Sequence, residues 1–166
     1  MCKLLLTTVL LACATAHVLA GDLPNQSRTP GAINQEVTQS NLAATVCVKG
    51  WTKTVRPPAY YTNALKKTQI REYAYPDTNL KSYEEDHLIP LSIGGHPTDP
   101  RNLWPQPRHT EWSAARKDLL EFALYKAVCH GELGLDEARR AFAGDWIRAY
   151  KLYGSFLAKY SHGRTD

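Results

Sequence analysis

The sequence lacks most of the features that would settle a class at once. Its 166 residues include four cysteines, none of them in a CxxC pair, which disfavours a structural zinc site. After the first twenty residues no segment stays apolar for long enough to cross a bilayer. There is no internal repeat of the kind that builds a solenoid or propeller, and no separate base-reading module. The formal charge of +4 is too mild to establish a nucleic-acid partner by itself. The length suits one modest domain with a single core.

The first twenty residues read as a leader rather than as part of that domain. Lys3 supplies a positive start, Leu4 to Ala12 form a short apolar run, and Val18-Leu19-Ala20 offers small-residue cleavage before Gly21. This predicts a signal peptide over 1–20 and export to the periplasm or medium. The alternative is lipoprotein processing, because Leu10-Leu11-Ala12-Cys13 resembles a lipobox that would anchor the chain at Cys13. Cleavage after Ala20 leaves Cys47 and Cys129, and two cysteines in an oxidising compartment are expected to pair. The long loop so closed would contribute about 4 kcal/mol through chain entropy; two buried thiols are the alternative.

Residues 21–42 are polar and rich in Pro, Gly and Asn, which predicts an extended, poorly ordered lead-in to a domain spanning 43–166. A short strand is expected over Ala44–Val48, and extended chain through Val55-Arg56-Pro57-Pro58. Asn63 is placed to cap a helix running to Glu72, with Leu65, Ile70 and Tyr73 inward. Tyr83–Leu91 reads as a strand, Gly94-Gly95 as its turn, and Asn102–Trp104 as a returning strand. From Trp112 to Val128 apolar residues recur at three- and four-residue spacing, the period of a helix. A second helical region, Leu135–Tyr153, is interrupted at Gly144, and its aromatic residues are expected in the core.

The stretch that carries chemistry is Tyr83-Glu84-Glu85-Asp86-His87-Leu88-Ile89-Pro90-Leu91, with Gly94-Gly95 and then Asp99-Pro100-Arg101-Asn102-Leu103-Trp104-Pro105. It resembles the HNH nucleases of the ββα-metal fold, in the variant found in exported bacterial proteins. The resemblance implies an α+β fold: a small, mostly helical domain built around a hairpin-plus-helix core. It also implies a metal-dependent endonuclease that hydrolyses phosphodiester bonds in DNA, with RNA as the alternative substrate, and Mg²⁺ or Mn²⁺ as the cofactor. Asp86 would be the first metal ligand, a hard oxygen suited to such ions. His87, with a reference pKa of about 6.5, would take a proton from the attacking water. Asn102 would hold the loop and orient His87. Successive strand residues point to opposite faces, so Asp86 and His87 share one site only if the strand end is distorted.

The second metal ligand is open among three side chains. Alignment on Lys117-Asp118 puts Ser113 where similar sequences carry Asn, Glu111 stands at a distance found in other variants, and His109 is the third. Ser113 is equally suited to cap the helix. Arg101, Arg108, Arg116 and Lys117 are candidate phosphate contacts, and a basic stretch that includes Lys49, Lys53, Arg56, Lys66, Lys67, Arg71 and Lys81 precedes the motif. The alternative reading is a non-catalytic module, derived from such a nuclease, that grips nucleic acid or another partner. A toxin role has no delivery domain to support it.

Overall fold

The computed structural model describes residues 21–161. The expected leader, with Cys2, Cys13 and Ala20, and also His162 lie outside the described residues. The fold is α+β: helices surround one two-stranded antiparallel sheet. In chain order the elements are α1 (Trp51–Val55), α2 (Ala59–Glu72), β1 (Tyr83–His87), β2 (Leu103–Pro107), α3 (Ala114–Cys129), α4 (Leu135–Ala143), α5 (Trp146–Leu152) and α6 (Gly154–Ser161), with short 3₁₀ turns between them. Among these elements no helix is long and apolar enough to cross a membrane.

The hairpin pairs from Tyr83↔Pro107 to His87↔Leu103 without a bulge. β1 ends at His87, four residues short of the expected Leu91, and β2 runs on to Pro107 rather than stopping at Trp104. The fifteen-residue connection between them folds back on itself. Gly94 takes a left-handed φ of 74°, and any Cβ on Gly95 would stand 1.8 Å from the Ile89 carbonyl oxygen. Only glycine allows that approach.

One helix packs on each side of the hairpin. From α2, Gln69 Nε2 donates to the Leu103 carbonyl at 2.8 Å and Lys66 Nζ to the Tyr83 carbonyl at 3.2 Å. From α3, Lys117 reaches the end of β1. The core lies on the α3 side, where Leu120, Ala123, Leu124 and Ala127 meet Trp104, Phe142, Trp146 and Ile147. Of the aromatic residues expected in the core, Phe142 and Trp146 are fully buried, and Tyr150 and Tyr153 pack half-buried against it. α4 ends at Ala143 with Gly144 as its C-cap, α5 follows, and α6 adds a final helix.

Three local expectations are corrected. Residues 21–42, expected as an extended, poorly ordered lead-in, are docked on the domain: Val37 and Leu42 enter the core, Ile33 bridges to Gly95, and Gly31 N donates to the Arg101 carbonyl at 2.9 Å. A few apolar anchors in a polar stretch suffice to dock it. Ala44–Val48 forms no strand; a 3₁₀ turn over Gln39–Ala44 leads instead into the buried Val46. α2 begins at Ala59, with Pro58 rather than Asn63 at its cap position, as proline's fixed φ suits a helix entry. The Cys47–Cys129 disulfide is present, spanning 82 residues with the Cα atoms 5.6 Å apart.

Candidate active site

β1 presents two different chemistries on its two faces. Strand alternation puts Glu85 and His87 on the side of α2, and Asp86 toward α3. Because the ladder is regular through His87, nothing brings the two neighbours back to one face. Asp86 and His87 therefore belong to separate environments, and the distortion needed to join them is absent from the strand.

His87 is 5 % exposed. Its Nε2 lies 2.9 Å from the Pro97 carbonyl. A carbonyl only accepts, so Nε2 carries the proton and Nδ1 is the basic nitrogen of the neutral ring. Burial pushes the imidazole below its ordinary value, against the Pro97 bond and the Asp86 charge, which pull it up; Arg56 and Lys117 push it further down. The ring is held neutral and oriented, which is what a general base requires.

His87 borders a cleft of about 300 Å³ lined by Arg56, Asn63, Lys66, Glu84, Glu85 and Arg108, among others. Three cations thus line the same cleft as the imidazole. Arg56 leaves the C-terminus of α1, Lys66 comes from α2, and Arg108 follows β2, where it pairs with Glu84 at 2.9 Å. Residue order places Arg56 and Lys66 in a basic stretch but gives them no site, because only the packing of α2 on the hairpin carries them to His87. Glu85 is a further residue that the motif does not single out, although its position two residues before His87 on one strand face is a readable signal. Neither of its carboxylate oxygens has a hydrogen-bond partner. Burial pushes its pKa up to about 8; Lys66 draws it down and Asp86 raises it. Glu85 therefore holds a proton at neutral pH.

Asn102 is fully buried and holds the connection together. Its Oδ1 accepts from Ile89 N at 2.9 Å, and its Nδ2 donates to the Ile89 and His96 carbonyls at 3.0 and 3.1 Å. The loop-holding role matches expectation. The orienting role does not fall to it directly, since the His87 ring is fixed by Pro97 one residue beyond the span that Asn102 ties down.

On the opposite face, Asp86 is occupied. Lys117 Nζ, with its side chain 0 % exposed, donates to Asp86 Oδ2 at 2.7 Å and to the His87 carbonyl at 2.8 Å, and also bonds Glu121. Lys117 is thus no phosphate contact. Burial alone would lower its pKa, but the Asp86 and Glu121 carboxylates more than offset that and hold it above its ordinary value. Glu121 is raised by burial and by Asp86, and lowered by Lys117.

The three candidates for a second ligand do not gather around Asp86. His109 lines a groove with Tyr75, Tyr83 and Thr110 at the far end of the hairpin, four strand residues or about 13 Å from the His87 end. Glu111 is exposed and pairs with Arg116 at 3.6 Å. Ser113 is the N-cap residue of α3, although its hydroxyl makes no capping bond. Among the described residues no three His, Cys, Asp or Glu side chains are grouped to hold a metal ion. The donor set implied by the resemblance does not fit a divalent ion at Asp86. Of the four expected phosphate contacts only Arg108 lines the cleft. Arg101 is exposed and pairs with Asp99 at 2.6 Å, and Arg116 lies over the Trp112 ring at 5.0 Å.

No protein-family model, curated protein or solved structure matches the chain.

Proposed function

We propose that the protein is an exported phosphodiester hydrolase of HNH type acting on nucleic acid, DNA in preference to RNA, with His87 as general base. The observation that carries this reading is the neutral, carbonyl-anchored His87 bordering a cleft that also receives Arg56, Lys66 and Arg108. The three cations hold and neutralise a phosphodiester group. Water seated against His87 gives its proton to the imidazole as its oxygen attacks phosphorus, and the bond to the leaving oxygen breaks. Glu85, protonated by burial, keeps a repelling negative charge away from the same phosphate. The resemblance implies Mg²⁺ or Mn²⁺; since Asp86, His109, Glu111 and Ser113 form no common donor set, no step is assigned to an ion.

The test is plasmid nicking by wild type and His87→Ala, in parallel with Mg²⁺, Mn²⁺, Ni²⁺ and chelator. Cleavage by wild type that His87→Ala loses is the expected result. Equal cleavage by both, or none by wild type in any arm, contradicts it. One observation favours a second reading, a non-catalytic nucleic-acid or partner-binding module: Asp86 is already paired with Lys117 through Oδ2. Tight DNA binding without cleavage in every arm is the result that selects it.

A further inference from the structure

The face of the hairpin turned away from His87 holds an arrangement that the proposed chemistry does not use. A lysine ammonium is rarely buried completely, because desolvation disfavours its charge. Here the Lys117 side chain is 0 % exposed, and its Nζ is met by three oxygens: Asp86 Oδ2 at 2.7 Å, the His87 main-chain carbonyl at 2.8 Å, and Glu121 Oε1. An ammonium has three N–H donors, and each finds an acceptor. Two carboxylates and a carbonyl around one buried positive centre is also the kind of all-oxygen set that a hard divalent cation takes.

We propose that Lys117 is a resident cation occupying the place of a divalent metal ion at Asp86. Lys117 neutralises Asp86 from within the fold, so this carboxylate is closed to Mg²⁺ and Mn²⁺ in the native protein. Three further observations agree. Asp86 is turned from the cleft by strand alternation. His109, Glu111 and Ser113 are placed elsewhere, at the far end of the hairpin, in an ion pair and at a helix cap. Among the described residues no three-ligand group exists. The inference rests on the reading of this hairpin as a nuclease-type site, but it concerns ion binding, which is measured without cleavage, so the two can fail separately.

The test is titration of the ¹⁵N-labelled folded protein with MnCl₂, read as paramagnetic broadening of assigned amides. In wild type, the amides of Asp86, His87 and Glu121 should broaden no more than those of α6, and Asp86→Asn should change nothing. Broadening centred on Asp86 in wild type and lost in Asp86→Asn overturns the proposal. Lys117→Ala vacates the ammonium and leaves its acceptors. If this variant folds, Mn²⁺ should bind there with at least tenfold higher affinity than wild type and raise the melting temperature, and Lys117→Ala/Asp86→Asn should lose both effects. A folded Lys117→Ala protein indifferent to Mn²⁺ contradicts the equivalence of ammonium and metal. If the variant does not fold, the wild-type titration decides by itself.

Discussion

Lys117 Nζ lies 2.7 Å from Asp86 Oδ2, fully buried, and ties α3 to the end of β1 beside His87. Removing one partner of a buried ion pair strands the other charge and costs about 3–5 kcal/mol. Lys117→Met should therefore lower the unfolding free energy by about that amount in urea titration. Asp86→Asn should cost less, since Glu121 and the His87 carbonyl remain as acceptors. A loss below about 1 kcal/mol for Lys117→Met would show that the pair is not formed.

The cleft cations predict how binding responds to salt. Arg56, Lys66 and Arg108 border His87, whereas Arg101 and Arg116 are engaged elsewhere. On duplex DNA, each phosphate that a protein cation neutralises adds about 0.9 to the slope of log affinity against log salt. Arg56→Ala, Lys66→Ala and Arg108→Ala should each weaken binding and flatten the slope by about that amount. Arg101→Ala should leave the slope unchanged. Fluorescence anisotropy at several salt concentrations separates the two groups, and the reverse ranking would place the nucleic acid on another surface.

The pH dependence follows from two buried groups of opposite sign. His87 is held below its ordinary 6.5 by burial, so the acid limb of any cleavage activity should have its midpoint below pH 6.5. Glu85 is pushed up to about 8, and its ionisation places a negative charge in the cleft, so activity should decline above about pH 8. Stability responds through the same groups. The folded state holds the Glu85 proton more tightly than the unfolded chain does, so its contribution is fully present below the ordinary value of 4.5 and is lost as pH rises through about 8. His87 works the other way: its contribution is present above 6.5 and is lost as pH falls through its depressed folded value. Glu85→Gln should flatten the decline of melting temperature between pH 5 and 9. A decline as steep as that of wild type would show that another group causes it.

Cys47–Cys129 closes a loop spanning 82 residues and pins the segment before α1 to the end of α3. Chain-entropy arguments assign such a closure about 4 kcal/mol. Reduction, or the double Cys47→Ser/Cys129→Ser substitution, should lower stability by about 2–4 kcal/mol in denaturant titration while leaving the His87 cleft able to bind DNA. An unchanged denaturation midpoint after reduction would count against a formed bridge.

How much of the molecule is readable from residue order differs from element to element. The hairpin, its glycine turn, α3 and the pairing of Cys47 with Cys129 are legible, because each rests on local pattern or on cysteine arithmetic. The docking of residues 21–42 is not, because it depends on a few side chains such as Val37 finding a core that only the folded chain provides. His87 and Asn102 are singled out by the motif. Arg56, Lys66 and Glu85 cannot be tied to His87 without knowing that α2 lies on that face. Lys117 departs from its expected role for a related reason: a cation near the start of a helix is ordinarily exposed, and only the approach of β1 puts Asp86 over it. Strand alternation is the one rule that anticipates the separation of Asp86 from His87, and the regular ladder bears it out.

Cleavage and binding measured side by side in one variant decide whether His87 is the base. His87→Ala removes the imidazole but none of the cleft cations. DNA affinity by anisotropy should stay within about twofold of wild type, while the single-turnover cleavage rate should fall by about 100-fold or more, the contribution expected of a general base. Cleavage retained at the wild-type rate, with or without added metal, would contradict the assignment of His87 as the base.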